Sequence, residues 1–123
     1  MADSTAGSIP IEGKDFAEKV LQASQLVIVN FSSNQSSSCQ LFEPEFAAIG
    51  REYTGRATFA HIDVDNNGEL ITQYNVDGIP TLIFFKNGQE INRVKGIVMR
   101  DKLRRQVEGA LLVSSQINGS EEA

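Results

Sequence analysis

The chain is poor in sulfur, in imidazole and in positive charge. Cys39 is its only cysteine and His61 its only histidine, and it has no tryptophan. One cysteine excludes an intrachain disulfide framework and a cysteine-based zinc site. It also excludes dithiol exchange within the chain, in which one thiol attacks and a second resolves the mixed disulfide. Eleven basic residues stand against 16 acidic ones, a net charge of −5. That balance argues against general binding to a phosphate backbone, which needs clustered Lys and Arg. No apolar run approaches the roughly 20 residues of a membrane-spanning helix. Met1 to Pro10 holds no basic segment followed by an apolar one, as a secretory signal would. A cytoplasmic protein is expected, with no metal, no cofactor, and neither nucleic acid nor membrane as partner. What is present, 123 residues of which 41% are hydrophobic, suffices for one domain with a sizeable core.

The apolar pattern orders the chain as β-α-β-α-β-α-β-β-α. Polar, small-residue ends at 1–8 and 114–123 are expected to fray, leaving a domain at 9–113. A short strand at Ile9 to Ile11 precedes a helix from Lys14 to Ala23, in which Phe16, Val20 and Leu21 recur at helical spacing. Leu26 to Phe31 reads as a buried strand. Gln40 to Tyr53 reads as a helix with Leu41, Phe42, Phe46, Ile49 and Tyr53 inward and a kink at Pro44. Ala57 to Val64 is a third strand, and Asp65 to Gly68 supplies turn and capping groups before a short helix, Glu69 to Tyr74. Thr81 to Phe85 and Glu90 to Val94 pair across Asn87-Gly88, a strong hairpin signal. A last helix runs from Arg100 to Leu112 with Leu103, Val107, Ala110 and Leu111 inward. Helices between the early strands and a terminal hairpin predict an α/β fold, a mixed central sheet with helices on both faces.

Between the second strand and the second helix lies Ser36-Ser37-Ser38-Cys39. A strand entering a helix N-terminus through C-x-x-C is a redox arrangement; here the spacing stands with serine in place of the first cysteine. From about residue 9 to residue 113 the chain resembles a thioredoxin, on several motifs in order. These are Val29-Asn30-Phe31, Pro44, Asp63-Val64-Asp65, Tyr74 to Thr81, Phe84-Phe85-Lys86-Asn87-Gly88, and Gly96. The resemblance implies the thioredoxin fold and a cis peptide before Pro80. The departures fall on the redox site. Ser36 stands for the attacking cysteine, Ser37-Ser38 for the usual Gly-Pro, Ser32 and Gln35 for tryptophans, and Asn30 for a buried aspartate. A serine in the first position is also similar to the thioredoxin-like domain of chaperedoxins, although no helical repeat region follows here.

Each marked residue has a plain reading beside a sharp one. Ser36 is expected to be a helix N-cap rather than a nucleophile, since the loop offers no base. Cys39 is expected to be a small buried thiol; its functional reading is a monothiol modified by, or bridged to, an external thiol. By family register His61 should lie beneath Cys39 and beside Asn30. That trio invites a Cys-His-Asn reading, but an uncharged polar pair replacing a buried Asp/Lys pair is the reading preferred. The resemblance implies that the loop at Pro80 pairs with an extended substrate backbone, with Ile79, Gly96, Ile97 and Val98 as an apolar rim suited to peptide docking.

The function expected is that of a thioredoxin-like protein without the dithiol couple, binding peptide or protein segments in the retained groove as a chaperone or adaptor. It is not expected to be a dithiol–disulfide oxidoreductase, because Ser36 stands where the first cysteine would. The alternative is a monothiol redox protein or sensor that uses Cys39 with an external thiol.

Overall fold

The computed structural model describes residues 7–122, with side chains to residue 115. The expected frayed N-terminal segment, 1–8, lies outside it except for Gly7 and Ser8. Five strands form one mixed sheet: β1 (Ile9–Ile11), β2 (Leu26–Ser32), β3 (Ala57–Asp63), β4 (Thr81–Lys86) and β5 (Gln89–Lys95). Their order is β1-β3-β2-β4-β5. β3 runs parallel to both β1 and β2, whereas β4 is antiparallel to β2 and to β5. The central strand β2 is buried along most of its length, as its unbroken apolar run requires.

The period of two in the strands divides the core. Leu26 and Ile28 of β2, with Ala57 and Phe59 of β3, face a layer containing Phe42, Phe46, Ile49, Leu103 and Val107. Those residues belong to helices α1 (Ser37–Glu52) and α3 (Arg100–Glu122). Val27, Val29 and Phe31, with Ala60 and Ile62, face the other layer beside Phe16, Val20, Leu70 and Val76. That layer is closed by helix α2 (Gly68–Gln73) and by the helical segment before β2.

Four expectations change in detail. The segment expected as a helix from Lys14 to Ala23 is a 3-10 turn, Gly13–Asp15, followed by a π turn, Ala17–Leu21. The π turn is closed by Gln22 N–H donating to Ala17 O at 2.9 Å. Apolar periodicity marked Phe16 and Val20 for burial, but it does not distinguish helical hydrogen-bond patterns that bury the same residues. α1 begins at Ser37, three residues earlier than expected, because a hydroxyl cap starts it, and it continues through Pro44. Leu41 does not point inward: it is 71% exposed. Phe42, Phe46, Ile49 and Tyr53 form the buried stripe, which places Leu41 on the stripe of Glu45 and Glu52. Finally, α3 runs to Glu122 instead of ending near Leu112, and Ser114 is buried, its hydroxyl donating to Leu111 O at 3.0 Å.

The hairpin is as its sequence implies. Asn87 and Gly88 both have positive φ, 53° and 79°, the geometry of a two-residue I′ turn between Lys86 and Gln89. At the opposite edge, a Cβ on Gly50 of α1 would lie 2.0 Å from Gly7 O. Glycine there lets the N-terminal segment lie directly on the helix.

Candidate functional site

Side-chain hydroxyls hold the serine loop together. Ser33 is buried and donates to Asp65 Oδ2 at 2.6 Å, while its Oγ accepts from Gln35 N–H at 3.1 Å. Ser36 has extended backbone, and its Oγ accepts from Cys39 N–H at 3.3 Å. Gln40 N–H donates to Ser36 O at 3.0 Å and opens the α-helical ladder. Ser36 therefore satisfies one of the orphan donors at the start of α1. Among the described residues no base hydrogen-bonds its hydroxyl, so it lacks an activated nucleophile's geometry.

Cys39, one turn into α1, is 3% exposed. Alternation along the strands sets what lies beneath it. Asn30 follows Leu26 and Ile28 on the α1 side of β2, His61 follows Ala57 and Phe59 on the α1 side of β3, and the two are cross-strand partners. Cys39 and His61 line one cavity of about 290 Å³ with Ser32, Ser33 and Glu43. Asn30 is fully buried behind it.

Glu43 was not singled out by sequence reasoning, and it links the cluster. Asn30 Nδ2 donates to Glu43 Oε1 at 3.5 Å, a long bond, and His61 Nδ1 lies 3.7 Å from Glu43 Oε2. His61 Nδ1 also shares a hydrogen bond of 2.7 Å with Ser8 Oγ. Burial raises the Glu43 carboxyl above its ordinary range; the charge of His61 and the hydrogen bond from Asn30 act in the opposite direction. The signal was present in the sequence, since Glu43 stands four residues after Cys39 and so on the same helix face. Asn30 donates to Glu43 rather than orienting His61, so the Cys-His-Asn relay is not formed. Among the described residues no group of three or more His, Cys, Asp or Glu could hold a metal ion.

The second half of the site is the loop opposite. The Ile79–Pro80 peptide is cis. Gly96 N–H donates to Pro80 O at 2.7 Å with Gly96 at φ 84°, which glycine adopts without strain. Thr81 Oγ1 donates to Gly78 O at 2.6 Å. Of the expected rim, Ile97 is 50% exposed and Ile79 half-buried. Val98 is a correction: at 5% exposure it belongs to the core layer of Phe42, Phe46 and Leu103. Consecutive residues in an extended loop point to opposite sides, so Met99 takes the outward place at 77% exposure. An ion pair of 2.5 Å between Arg100 Nε and Glu45 Oε1 ties this loop to the α1 stripe that carries Leu41. Of the expected rim, Ile79 and Ile97 thus remain beside Pro80 and Gly96, and Met99 adds an exposed apolar side chain two residues beyond Ile97. No described helix is long and apolar enough to cross a membrane.

Comparison with known proteins agrees with this architecture. The thioredoxin family model matches residues 7–109. The chain is 34% identical over 99 residues to thioredoxin X, chloroplastic, of Arabidopsis thaliana, an overlap of 79% of this chain and 54% of that protein. It is 35% identical over 98 residues to probable thioredoxin-2 of Caenorhabditis elegans, covering 80% of this chain and 68% of the relative. It is 33% identical over 108 residues to a thioredoxin of Mycobacterium tuberculosis, 87% of this chain and 93% of the relative. This chain thus spans about half the length of the Arabidopsis relative and nearly all of the mycobacterial one. With the sheet order, the cis-proline loop and the strand-to-helix serine turn in place, the chain belongs to the thioredoxin family.

Proposed function

We propose that this thioredoxin-family protein takes up an extended polypeptide segment, without dithiol exchange, in the groove between the serine loop and the Pro80–Gly96 turn. The observation that carries the reading is the exposure of three large apolar side chains, Leu41, Ile97 and Met99, beside a redox position that holds one sulfur. A partner that covers such side chains would remove them from water. The relatives are named thioredoxins, and their shared activity would need a second thiol where Ser36 stands. A chaperone-like or adaptor role fits a scaffold whose groove remains while the couple is absent.

Ile97→Asp tests the reading. Binding of a fluorescent, unstructured apolar peptide should fall at least about tenfold, because a carboxylate must be desolvated against the ligand. Thermal stability should change little, as for most exposed substitutions. Cys39→Ser should bind as the natural protein does. Undiminished binding by Ile97→Asp would remove the groove as the site.

A second reading, a monothiol redox protein or sensor using Cys39 with an external thiol, is favoured by one observation. Cys39 lines a cavity together with Glu43 and His61, the two other titratable groups in its lining.

A further inference from the structure

A thiol that is 3% exposed must lose its proton inside the protein if it is to react, and the structure has to provide somewhere for that proton to go. β2 offers no charge at this point, since Asn30 is neutral. β3 offers His61, whose Nδ1 already faces Ser8 Oγ at 2.7 Å and Glu43 Oε2 at 3.7 Å. α1 offers Glu43, one helical turn beyond Cys39 on the face that lines the same 290 Å³ cavity. A cavity of that size, with Ser32, Ser33, Glu43 and His61 in its lining, has room for a bridging water. Two residues beyond His61 on β3, Asp63 is occupied in the turn that follows, accepting from Asp65 N–H at 2.9 Å and from Asn66 Nδ2 at 2.6 Å.

The buried amide of Asn30 supplies an independent observation. Its Nδ2 is aimed at Glu43, yet its Oδ1 is buried with no hydrogen-bond partner among the described residues. An orphaned acceptor in such a place costs on the order of 1–3 kcal/mol, so the site holds an acceptor that awaits a donor. Rotating the amide exchanges its oxygen and nitrogen. The nitrogen donates to an ionised Glu43, and after rotation the oxygen accepts from a protonated one. Asn30 can therefore partner Glu43 in both protonation states, and a fixed charge on β2 could not do so. Burial also raises the Glu43 carboxyl above its ordinary range, which makes its carboxylate a stronger base.

We propose that Glu43 is the proton acceptor for Cys39 in exchange with a small external disulfide, with Asn30 as the residue that positions the carboxyl in either state. This rests on the monothiol reading and is independent of the groove. The step balances as follows. The Cys39 S–H proton passes to the Glu43 carboxylate, directly or through cavity water. The thiolate attacks one sulfur of the disulfide R–S–S–R′. The bond between those two sulfurs breaks, a Cys39–S–S–R bond forms, and R′–S⁻ leaves with the electron pair. That thiolate takes the proton from Glu43. Cys39 is oxidised to the mixed disulfide, and the leaving sulfur is reduced to a thiol.

The test is the rate at which native Cys39 reacts with 4,4′-dithiodipyridine between about pH 4 and about pH 9, a span that covers carboxyl and thiol ionisation. The natural protein should show an inflection on the acid side of thiol ionisation. Glu43→Gln should lose that inflection and react about tenfold or more slowly at neutral pH, the scale of lost general-base assistance. Both proteins should converge at high pH, where hydroxide removes the proton. Glu43→Asp should retain the inflection at a reduced rate. A purely electrostatic role predicts the opposite sign, because removing a nearby negative charge favours the thiolate and speeds the reaction. A faster Glu43→Gln protein, or an unchanged profile, overturns the proposal. If Cys39 in the folded natural protein does not react at any pH in the range, the monothiol reading itself fails and takes this inference with it.

Discussion

The two faces of the sheet share the same strands and differ at one end. On the face closed by α2, the inward positions of β2 and β3 are apolar (Val27, Val29, Phe31, Ala60, Ile62) except Thr58, opposite Val27, whose hydroxyl donates to Gln25 Oε1 at 2.9 Å. On the face closed by α1 and α3, the same alternation begins with Leu26, Ile28, Ala57 and Phe59 and then turns polar at Asn30 and His61. The change coincides with the start of α1, where Cys39 and Glu43 lie overhead. A polar residue at an inward strand position persists only where a neighbouring element brings it a partner. α1 brings Glu43, and it leaves one oxygen of Asn30 unmatched. One face is therefore apolar at this end. The other is a core that opens into a site.

Adjacent residues of β4 measure how equal the two faces are as cores. Phe84 packs in the α1/α3 layer and Phe85 in the α2 layer, and both are fully buried. Phe84→Ala and Phe85→Ala should each lower the unfolding free energy by about 3–5 kcal/mol, read from denaturant midpoints. A loss below about 1 kcal/mol for either would show that its layer is not close-packed, and the comparison would collapse.

The two tyrosines give a smaller contrast. Tyr53, in the α1/α3 layer, donates to Glu108 Oε2 at 2.8 Å, and burial together with Glu108 pushes its phenol up to about 12. Tyr74 packs against Phe16 and Phe85 in the other layer, and its phenol is raised by burial first and by Glu90 second. A group whose folded pKa is raised stabilises the fold below its unfolded value and loses that contribution as pH rises through the folded one. Stability should therefore decline from about pH 10 to about pH 12, and Tyr53→Phe should flatten the decline. Ultraviolet titration of the native protein should find both phenols ionising late. An ordinary phenol titration for Tyr53 would mean that its bond to Glu108 does not persist in solution.

The smallest expected effect lies at the head of α1. Ser36→Ala removes the cap from Cys39 N–H and should cost about 1 kcal/mol, measured by chemical denaturation. A neutral result would return Ser36 to the list of residues that need a chemical explanation.

Much of this was legible because period and turn chemistry are local. The β2 run, the Phe42–Phe46–Ile49–Tyr53 stripe and the Asn87-Gly88 turn each state their structure within a dozen residues. Asn30 and His61 were placed together through the family register, and the cross-strand pairing agrees. The misses have a different origin. Leu41 was assigned inward on hydropathy, although a helical stripe excludes its immediate neighbour. Val98 and Met99 exchange places because a loop's side-chain direction depends on what it packs against, here Phe42 and Leu103. The partners of Glu43 are 13 and 18 residues away along the chain and meet it only when the sheet closes under α1.

The contact between Gly7 and Gly50 has a consequence on the far side of the helix. Because a Cβ at position 50 would collide with the carbonyl of Gly7, the leading segment lies flat on α1 and presents Ser8 to His61. Ser8 thereby becomes the back wall of the polar cluster. A bulkier residue at 50 would have to displace Gly7, and with it the segment that carries Ser8 to His61. A hydrogen-bond partner of His61 is thus held in place by a glycine that touches none of the groups that titrate.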